Sequence, residues 1–524
     1  MKDLIKYLFL FMALSTFFFA CYDDKGNYDY LTSEEVGDIK IDTIGVENRY
    51  ILLTTLNIGD RVTLDLNVTY IYPENLKYYW IAYPYPYGAV QQGNAMVYPP
   101  ADTLGKEKKL DWTVNLTPGW WTYNFVVEDT VRGLKSSYRF QYGTIAQPGA
   151  RSGVYILSEY DGQTDIDLYT SSLCLIFGGD SFTPHYYSSL QGTMLPGKPL
   201  FIGFGQDYYY VFTEENGYRL NTSGLTLMDD FSGMFYDVPS YRPQAVRYIN
   251  SGEFLINNGK LHVLYTNRAN DRKFSAPIAG NYQAGNYLSQ MTRTSYSPVA
   301  DAINADQIIF DEQNLAFRPY FSAATSLSQF KSTLPDAFVN ANHFPAKPTA
   351  IFSSNGGQTY SILQHGGKPY LYITNFYNVV DDGDLSGNGI NSIIDLSGCA
   401  DIGQAKYFCS STAGSAFFYA TDKTAYSFTP SSGQTDAVTI YECETNEEIT
   451  CLQQMISGGF PTQGAVFWVA VWNNVTQEGK LVEYEIDPYS GTPRSQWGPM
   501  FGGITQNPRI FTGFGKIKSM TIKS

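Results

Sequence analysis

The chain has 524 residues, 50 Asp+Glu against 35 Lys+Arg for a formal net charge of −15, with 44% hydrophobic and only 16% charged residues. At ~100–200 residues per domain this length implies more than one domain or one large repeat domain beside a smaller one, and the apolar content excludes a disordered chain. The acidic surplus excludes nucleic acid, whose binding needs a basic face to release counterions. Aromatics reach 16%, with 43 Tyr and 33 Phe, while 47 Gly and 25 Pro supply turns. That profile reads as all-β and extracellular.

Residues 1–20 read as a secretion signal. Lys2 and Lys6 form a basic start, Tyr7 to Phe19 is apolar but too short to span a bilayer, and Ala20 precedes Cys21. The run Phe18-Phe19-Ala20-Cys21 resembles a bacterial lipobox, with Phe where the usual box carries Leu and a small residue. The resemblance implies that Cys21 is acylated on sulfur and becomes the mature N-terminus. Asp23 and Asp24 follow at once, and Gly26-Asn27 loosens the chain. This resembles the acidic export signal of Bacteroidetes surface lipoproteins. It implies a tether over residues 21–30 and a lipid-anchored protein on the outer face of the outer membrane. Losing residues 1–20 removes Lys2, Lys6 and Asp3, a net +1, so the mature charge is −16.

Residues 31–146 read as a β-sandwich. Arg61 to Val68 and Lys77 to Ile81 alternate with period two, and Thr117-Pro118-Gly119 feeds a long strand ending at Glu128-Asp129. Trp80, mid-domain, is the core candidate, as in immunoglobulin-like sandwiches. Cys21 to Tyr30 followed by this domain is similar to the PKD-like family lipoproteins of Bacteroidetes. Gly119 with Phe125-Val126-Val127-Glu128-Asp129 resembles the PKD strand G-x-Y-x-x-x-x-V-x-D. The Trp-Asp-Phe-Gly-Asp signature of true PKD domains is missing, since Ile81-Ala82-Tyr83 follow Trp80. Adhesive roles of true PKD modules are therefore not carried over.

The Gly/Pro-rich stretch from Thr144 to Gly153 marks a boundary, and residues 147–524 repeat one hairpin unit. Its turns are expected at Asp161-Gly162, Asn216-Gly217, Asn258-Gly259, Gln313-Asn314, Gly366-Gly367, Asp422-Lys423 and Glu478-Gly479. Three carry the Asn-Gly or Asp-Gly that a type I′ turn favours. Gly162 to Glu478 is 316 residues in six steps, about 53 each, near the ~50 of kelch repeats. Seven four-stranded units predict a seven-bladed β-propeller, with Lys516 to Lys523 completing the first blade.

Chemistry is sparse. His185, His262, His343 and His365 lack metal-ligand spacing and read as structural, and neither G-x-S-x-G nor H-E-x-x-H occurs. Asp382, Asp384 and Ser386 with Gly387 imitate the start of an EF-hand calcium loop, but position twelve is Ile393, not Glu. A structural calcium there is the one cofactor considered, and a solvated loop is the default. Ser353 to Tyr360 resembles a degenerate Asp-box, a turn device of sialidase-type propellers. Cys174, Cys399, Cys409, Cys443 and Cys451 are odd in number, and their disulfide state stays open. Tyr83-Pro84-Tyr85-Pro86-Tyr87 cannot lie within a helix or a central strand. Its phenols are the candidate ligand or partner surface, with packing onto the domains as the alternative. Tyr186-Tyr187 and Tyr208-Tyr209-Tyr210 read as strand and rim residues.

The expectation is a non-enzymatic surface lipoprotein. The family resemblance implies an accessory role in peptide or oligosaccharide capture beside a TonB-dependent transporter and its SusD-like lid lipoprotein. The alternatives are a propeller glycoside hydrolase or lyase, which needs two carboxylates ~5–9.5 Å apart, and an adhesin or scaffold.

Overall fold

The computed structural model describes residues 37–43, 56–59, 61–85, 90–92, 95–97, 101–117, 119–146, 152–174, 180–249, 252–265, 271–289, 305–321, 324–330, 339–376, 392–410, 414–430, 433–455, 462, 464–487, 489–494 and 508–523. Contacts divide the chain into two units. One is built on residues 61–112 and 122–141 with the N-terminal residues up to 47; the other holds residues 142–524 with 48–60 and 113–121.

In the first unit, alternation does what period two requires. Along Leu76–Pro84 the residues Trp80 and Ala82 are buried, and along Gly119–Asp129 so are Tyr123, Phe125, Val127 and Asp129. The Trp80 ring lies 4.4 Å from Phe125 and 6.1 Å from Phe140, and its Nε1 donates to the Glu107 carbonyl at 3.1 Å. Trp80 is a core residue, as expected. The paired strands Arg61–Asp65 and Lys109–Thr113 form a second layer, with Val62, Leu64, Leu110 and Trp112 buried and Trp112 reaching Tyr123 at 5.7 Å. The closing acid of the PKD-like strand has a structural task. Asp129 accepts from the Tyr70 hydroxyl at 2.6 Å and from the Val131 and Arg132 amides. Burial works to raise its pKa, but the donors from Tyr70, Arg132 and Val131 bring it down to about 2.

The second unit is a seven-bladed propeller. From the inner strand outward, blade 1 is Lys516–Lys523, Gly153–Tyr160, Gln163–Thr170 and Ser181–Thr183, and blade 2 is Pro199–Phe204, Tyr208–Thr213, Gly217–Asn221 and Leu227–Asp230. Blade 3 shows Pro243–Ile249, Gly252–Asn257 and Lys260–Tyr265; blade 4 shows Ala284–Leu288, Ala305–Asp311 and Ala316–Phe321. Blade 5 is Ala350–Ser353, Gln358–His365, Lys368–Asn375 and Ser392–Asp395, and blade 6 is Tyr407–Ser410, Phe417–Ala420, Thr424–Phe428 and Val438–Glu442. Blade 7 is Glu447–Gln454, Val466–Asn473, Glu478–Glu485 and Arg509–Phe514. Each inner strand neighbours the next, and Lys516–Lys523 touches both Glu447–Gln454 and Pro199–Phe204, so the ring closes. The closing strand pairs antiparallel with Gly153–Tyr160, Gly153 opposite Lys523.

Apolar side chains explain the ring. Each of the seven seams between successive blades holds a buried apolar cluster, such as Tyr155, Leu157, Tyr209 and Val211 between blades 1 and 2. A second strand, with one seam on each face, is therefore buried almost throughout, as in Tyr208–Thr213 and Phe417–Ala420. Tyr208, Tyr209 and Tyr210 are thus fully buried rather than rim residues, and Tyr186 and Tyr187 are buried on the short helix Tyr186–Gln191.

All seven expected dipeptides fall at or beside the connection between the second and third strands of a blade. Asp161-Gly162, Asn258-Gly259 and Gly366-Gly367 have positive φ at both residues, the type I′ geometry. Two dipeptides sit beside the turn rather than in it. The blade 2 turn runs through residues 213–216, with Gly217 on the following strand. The blade 7 turn runs through residues 474–477 with Gln477 at φ 56°, and Gly479 lies on a strand. A Cβ on Gly479 would stand 2.1 Å from the Gly515 carbonyl oxygen, so this glycine serves a close backbone approach. The Asp-box-like segment bridges the inner and second strands of blade 5 through a single 3-10 turn, Asn355–Gly357, and Tyr360 is buried.

Candidate functional site

Inner strands differ from the others because one edge faces the hollow of the ring. Pro243–Ile249 and Ala350–Ser353 are half-buried at every position. Together the inner strands of blades 3 to 7 line a cavity of about 230 Å³. Its wall carries Val246, Tyr287, Leu288, Ile351, Phe352 and Phe408 as apolar surface, and Asn286, Ser353, Ser410, Gln453 and Gln454 as polar groups. Phe352 and Phe408 lie nearly parallel, 19° apart with centroids 6.0 Å apart. One residue of the wall is charged: Arg247.

Arg247 is the exception among the arginines. The described arginines that are buried or half-buried are Arg132, Arg219, Arg247, Arg318, Arg494 and Arg509. Arg132 pairs with Asp129, Arg219 with Asp229, Arg318 with Asp311, Arg494 with Glu485, and Arg509 with both Glu483 and Asp180. No carboxylate among the described residues pairs with Arg247, and its Nε is buried without an acceptor. Burial lowers its pKa, and Tyr287 is the ionisable neighbour that opposes the shift. A guanidinium keeps its proton regardless, so the charge stays, with no counter-ion among the described residues.

Other polar clusters resemble chemistry and are structural. In blade 1, His185 Nδ1 lies 3.0 Å from Asp165 Oδ2, and Ser188 Oγ donates to the same oxygen at 2.5 Å. Both side chains hang on the aspartate. A nucleophile needs its own bond to the imidazole, and none links Ser188 Oγ to a ring nitrogen among the described residues. Glu253 accepts from the Tyr208 hydroxyl at 2.7 Å and from Tyr210, and Glu483 accepts from Trp468 Nε1 at 3.0 Å and from Arg509. These carboxylates sit outside the cavity wall. His262 is buried, its Nδ1 3.0 Å from the Ser275 carbonyl, and burial lowers its pKa.

The cavity wall holds none of the described residues singled out from sequence as site candidates. Tyr83 is half-buried at the end of Leu76–Pro84 in the first unit, and Tyr85 is 51% exposed just beyond it. Tyr87, Cys21, Asp23, Asp24, Asp382, Asp384 and Ser386 lie outside the described residues. No cluster of three or more His, Cys, Asp or Glu with metal-binding placement occurs among the described residues. Cys174, Cys399, Cys409, Cys443 and Cys451 are free thiols. Burial pushes the Cys451 thiol up to about 12 and raises Cys409 well above its usual value. The sequence marks Arg247 only as a lone cation inside the otherwise uncharged strand Pro243–Ile249, a signal too weak to single it out.

Residues 21–199 match the PKD-like family. The match covers the sandwich and continues through the blade 1 strands Gly153–Tyr160, Gln163–Thr170 and Ser181–Thr183. No curated protein matches the chain. Among solved structures it is similar to a quinonprotein alcohol dehydrogenase-like protein of Bacteroides thetaiotaomicron (10% identity, TM-score 0.40, covering 93% of this chain and 99% of the other). It is also similar to apo AztD of Citrobacter koseri (12% identity, TM-score 0.35, covering 75% and 96%). The seven-bladed architecture itself rests on the strand pairing and ring closure described above.

Proposed function

We propose that this protein is a surface lipoprotein that binds a small ligand in the hollow of its propeller and works beside an outer-membrane transporter. The observation that carries the binding role is the cavity wall formed by five inner strands, in which no carboxylate among the described residues pairs with Arg247. A pocket with apolar walls and a few convergent polar groups is the general form of a small-molecule site. The address comes from the sequence: Cys21 with Asp23 and Asp24 supports a lipid anchor and export to the outer face. Anchoring confines the protein to the membrane plane and raises its effective concentration near a transporter. The similarity to PKD-like lipoproteins supports a TonB-dependent transporter and a SusD-like lid protein as partners.

The described cavity wall offers arginine, amides and hydroxyls in place of the carboxylate pair that glycoside hydrolysis uses. Binding is therefore the reading this wall supports best. The test is purification of solubilised outer membrane through a tag on this chain. The expected result is co-purification of a transporter and a lid lipoprotein, with Cys21→Ser moving the protein out of the membrane fraction. Membrane retention of Cys21→Ser, or recovery of the chain alone, overturns the anchored, transporter-linked role.

A further inference from the structure

We infer that the propeller cavity is a site for a monocarboxylate of single-sugar size, a uronic acid in chemical class, with Arg247 as its anchor. This rests on the binding role proposed above and specifies its ligand. Five buried or half-buried arginines among the described residues are neutralised by carboxylates of the chain itself. Arg247 is half-buried like most of them, and its buried Nε has no acceptor among the described residues. A partly desolvated cation with no carboxylate paired to it among the described residues is unfavourable, and a bound anion offsets that cost.

The charge count selects among anions. The described wall carries one cation and neither a second basic side chain nor a carboxylate. A single guanidinium matches a monocarboxylate, whose two oxygens fit the planar fork. A phosphate near its dianionic form would leave charge uncompensated in the same space. An amino acid or peptide terminus brings an ammonium group, and no carboxylate of the described wall can receive it. Size selects further. At about 230 Å³ the cavity is below the ~300 Å³ where pockets for drug-sized molecules begin. The Phe352 and Phe408 rings offer flat apolar surface for a sugar ring, and the Asn286 and Gln453 amides offer donors and acceptors for its hydroxyls.

Isothermal titration of the intact mature chain in detergent tests this with four probes: galacturonate, glucuronate, neutral galactose and inorganic phosphate. At least one uronate is expected to bind while galactose does not. Arg247→Gln is expected to weaken that binding by at least tenfold, with Arg247→Lys between the two. The thermal midpoint of each variant verifies that it folds, and a uronate-induced rise in wild type should vanish in Arg247→Gln. Failure of both uronates, tighter binding of phosphate, or equal uronate binding by wild type and Arg247→Gln overturns the inference. Binding of galactose alone would overturn the carboxylate assignment while leaving the cavity a ligand site. Loss of the transporter partner with uronate binding intact would instead strike only the membrane role.

Discussion

The seam between blades 7 and 1 and the cavity at the centre treat the same functional group in opposite ways. At the seam, Arg509 donates to Glu483, Asp180 and the hydroxyls of Ser171 and Ser172, tying the outer strand of the last blade to the first. In the cavity, Arg247 has no such ring of acceptors among the described residues, and its Nε is buried without one. Asp167 in blade 1 is an intermediate case. It accepts from Ser158 at 2.6 Å, Tyr160 at 2.9 Å and the His185 amide at 2.9 Å, with no cation paired to it among the described residues. Burial, against those donors, raises its pKa to about 6. A carboxylate can answer burial by taking up a proton. An arginine cannot, so its charge needs a partner from the chain or from outside.

The largest expected effect is at the seam. Arg509→Ala leaves Glu483 buried and unpaired, and should lower unfolding free energy by about 3–5 kcal/mol, read from urea titration. Asp167 should give a pH signature of opposite sign to an ion-paired acid. Its folded pKa, about 6, lies above the ordinary range of an aspartate. Its stabilising contribution is therefore complete below about pH 4 and is lost as pH rises through about 6. Stability measured against Asp167→Asn should fall by about 3 kcal/mol over that window, and a flat difference would refute the buried-acid reading. Uronate at a hundredfold excess over its Kd should stabilise wild type by about 2.7 kcal/mol and leave Arg247→Met unchanged, seen in thermal melts. The smallest effect is the reversal without ligand. Arg247→Met should be more stable than wild type by about 1–2 kcal/mol, because it removes an unpaired cation. If Arg247→Met destabilises the fold as Arg509→Ala does, the contrast between seam and cavity fails.

Local pattern carried most of the fold. Asp161-Gly162 and Asn258-Gly259 are legible as type I′ turns because few other residues tolerate two positive φ angles in succession. Gly217 and Gly479 mislead by a residue or two, since a glycine needed for close packing looks in sequence like one needed for a turn. Trp80 is legible from its place in an alternating strand. The triple tyrosine of blade 2 is not, because a second strand loses its alternation when both faces are covered. The site was least legible of all. Arg247 is distinguished by having no carboxylate paired to it among the described residues, a property of five strands converging from distant parts of the chain.

The latch of the ring has a consequence for biogenesis. Gly153–Tyr160 is buried over most of its length only once Lys516–Lys523 lies beside it, more than 350 residues further along the chain. A nascent polypeptide therefore carries a sticky half-sheet, an invitation to wrong pairing, until the distant segment arrives. A chaperone has its clearest work at that edge, and a chain cut short of residue 516 should be degraded rather than accumulate as folded protein.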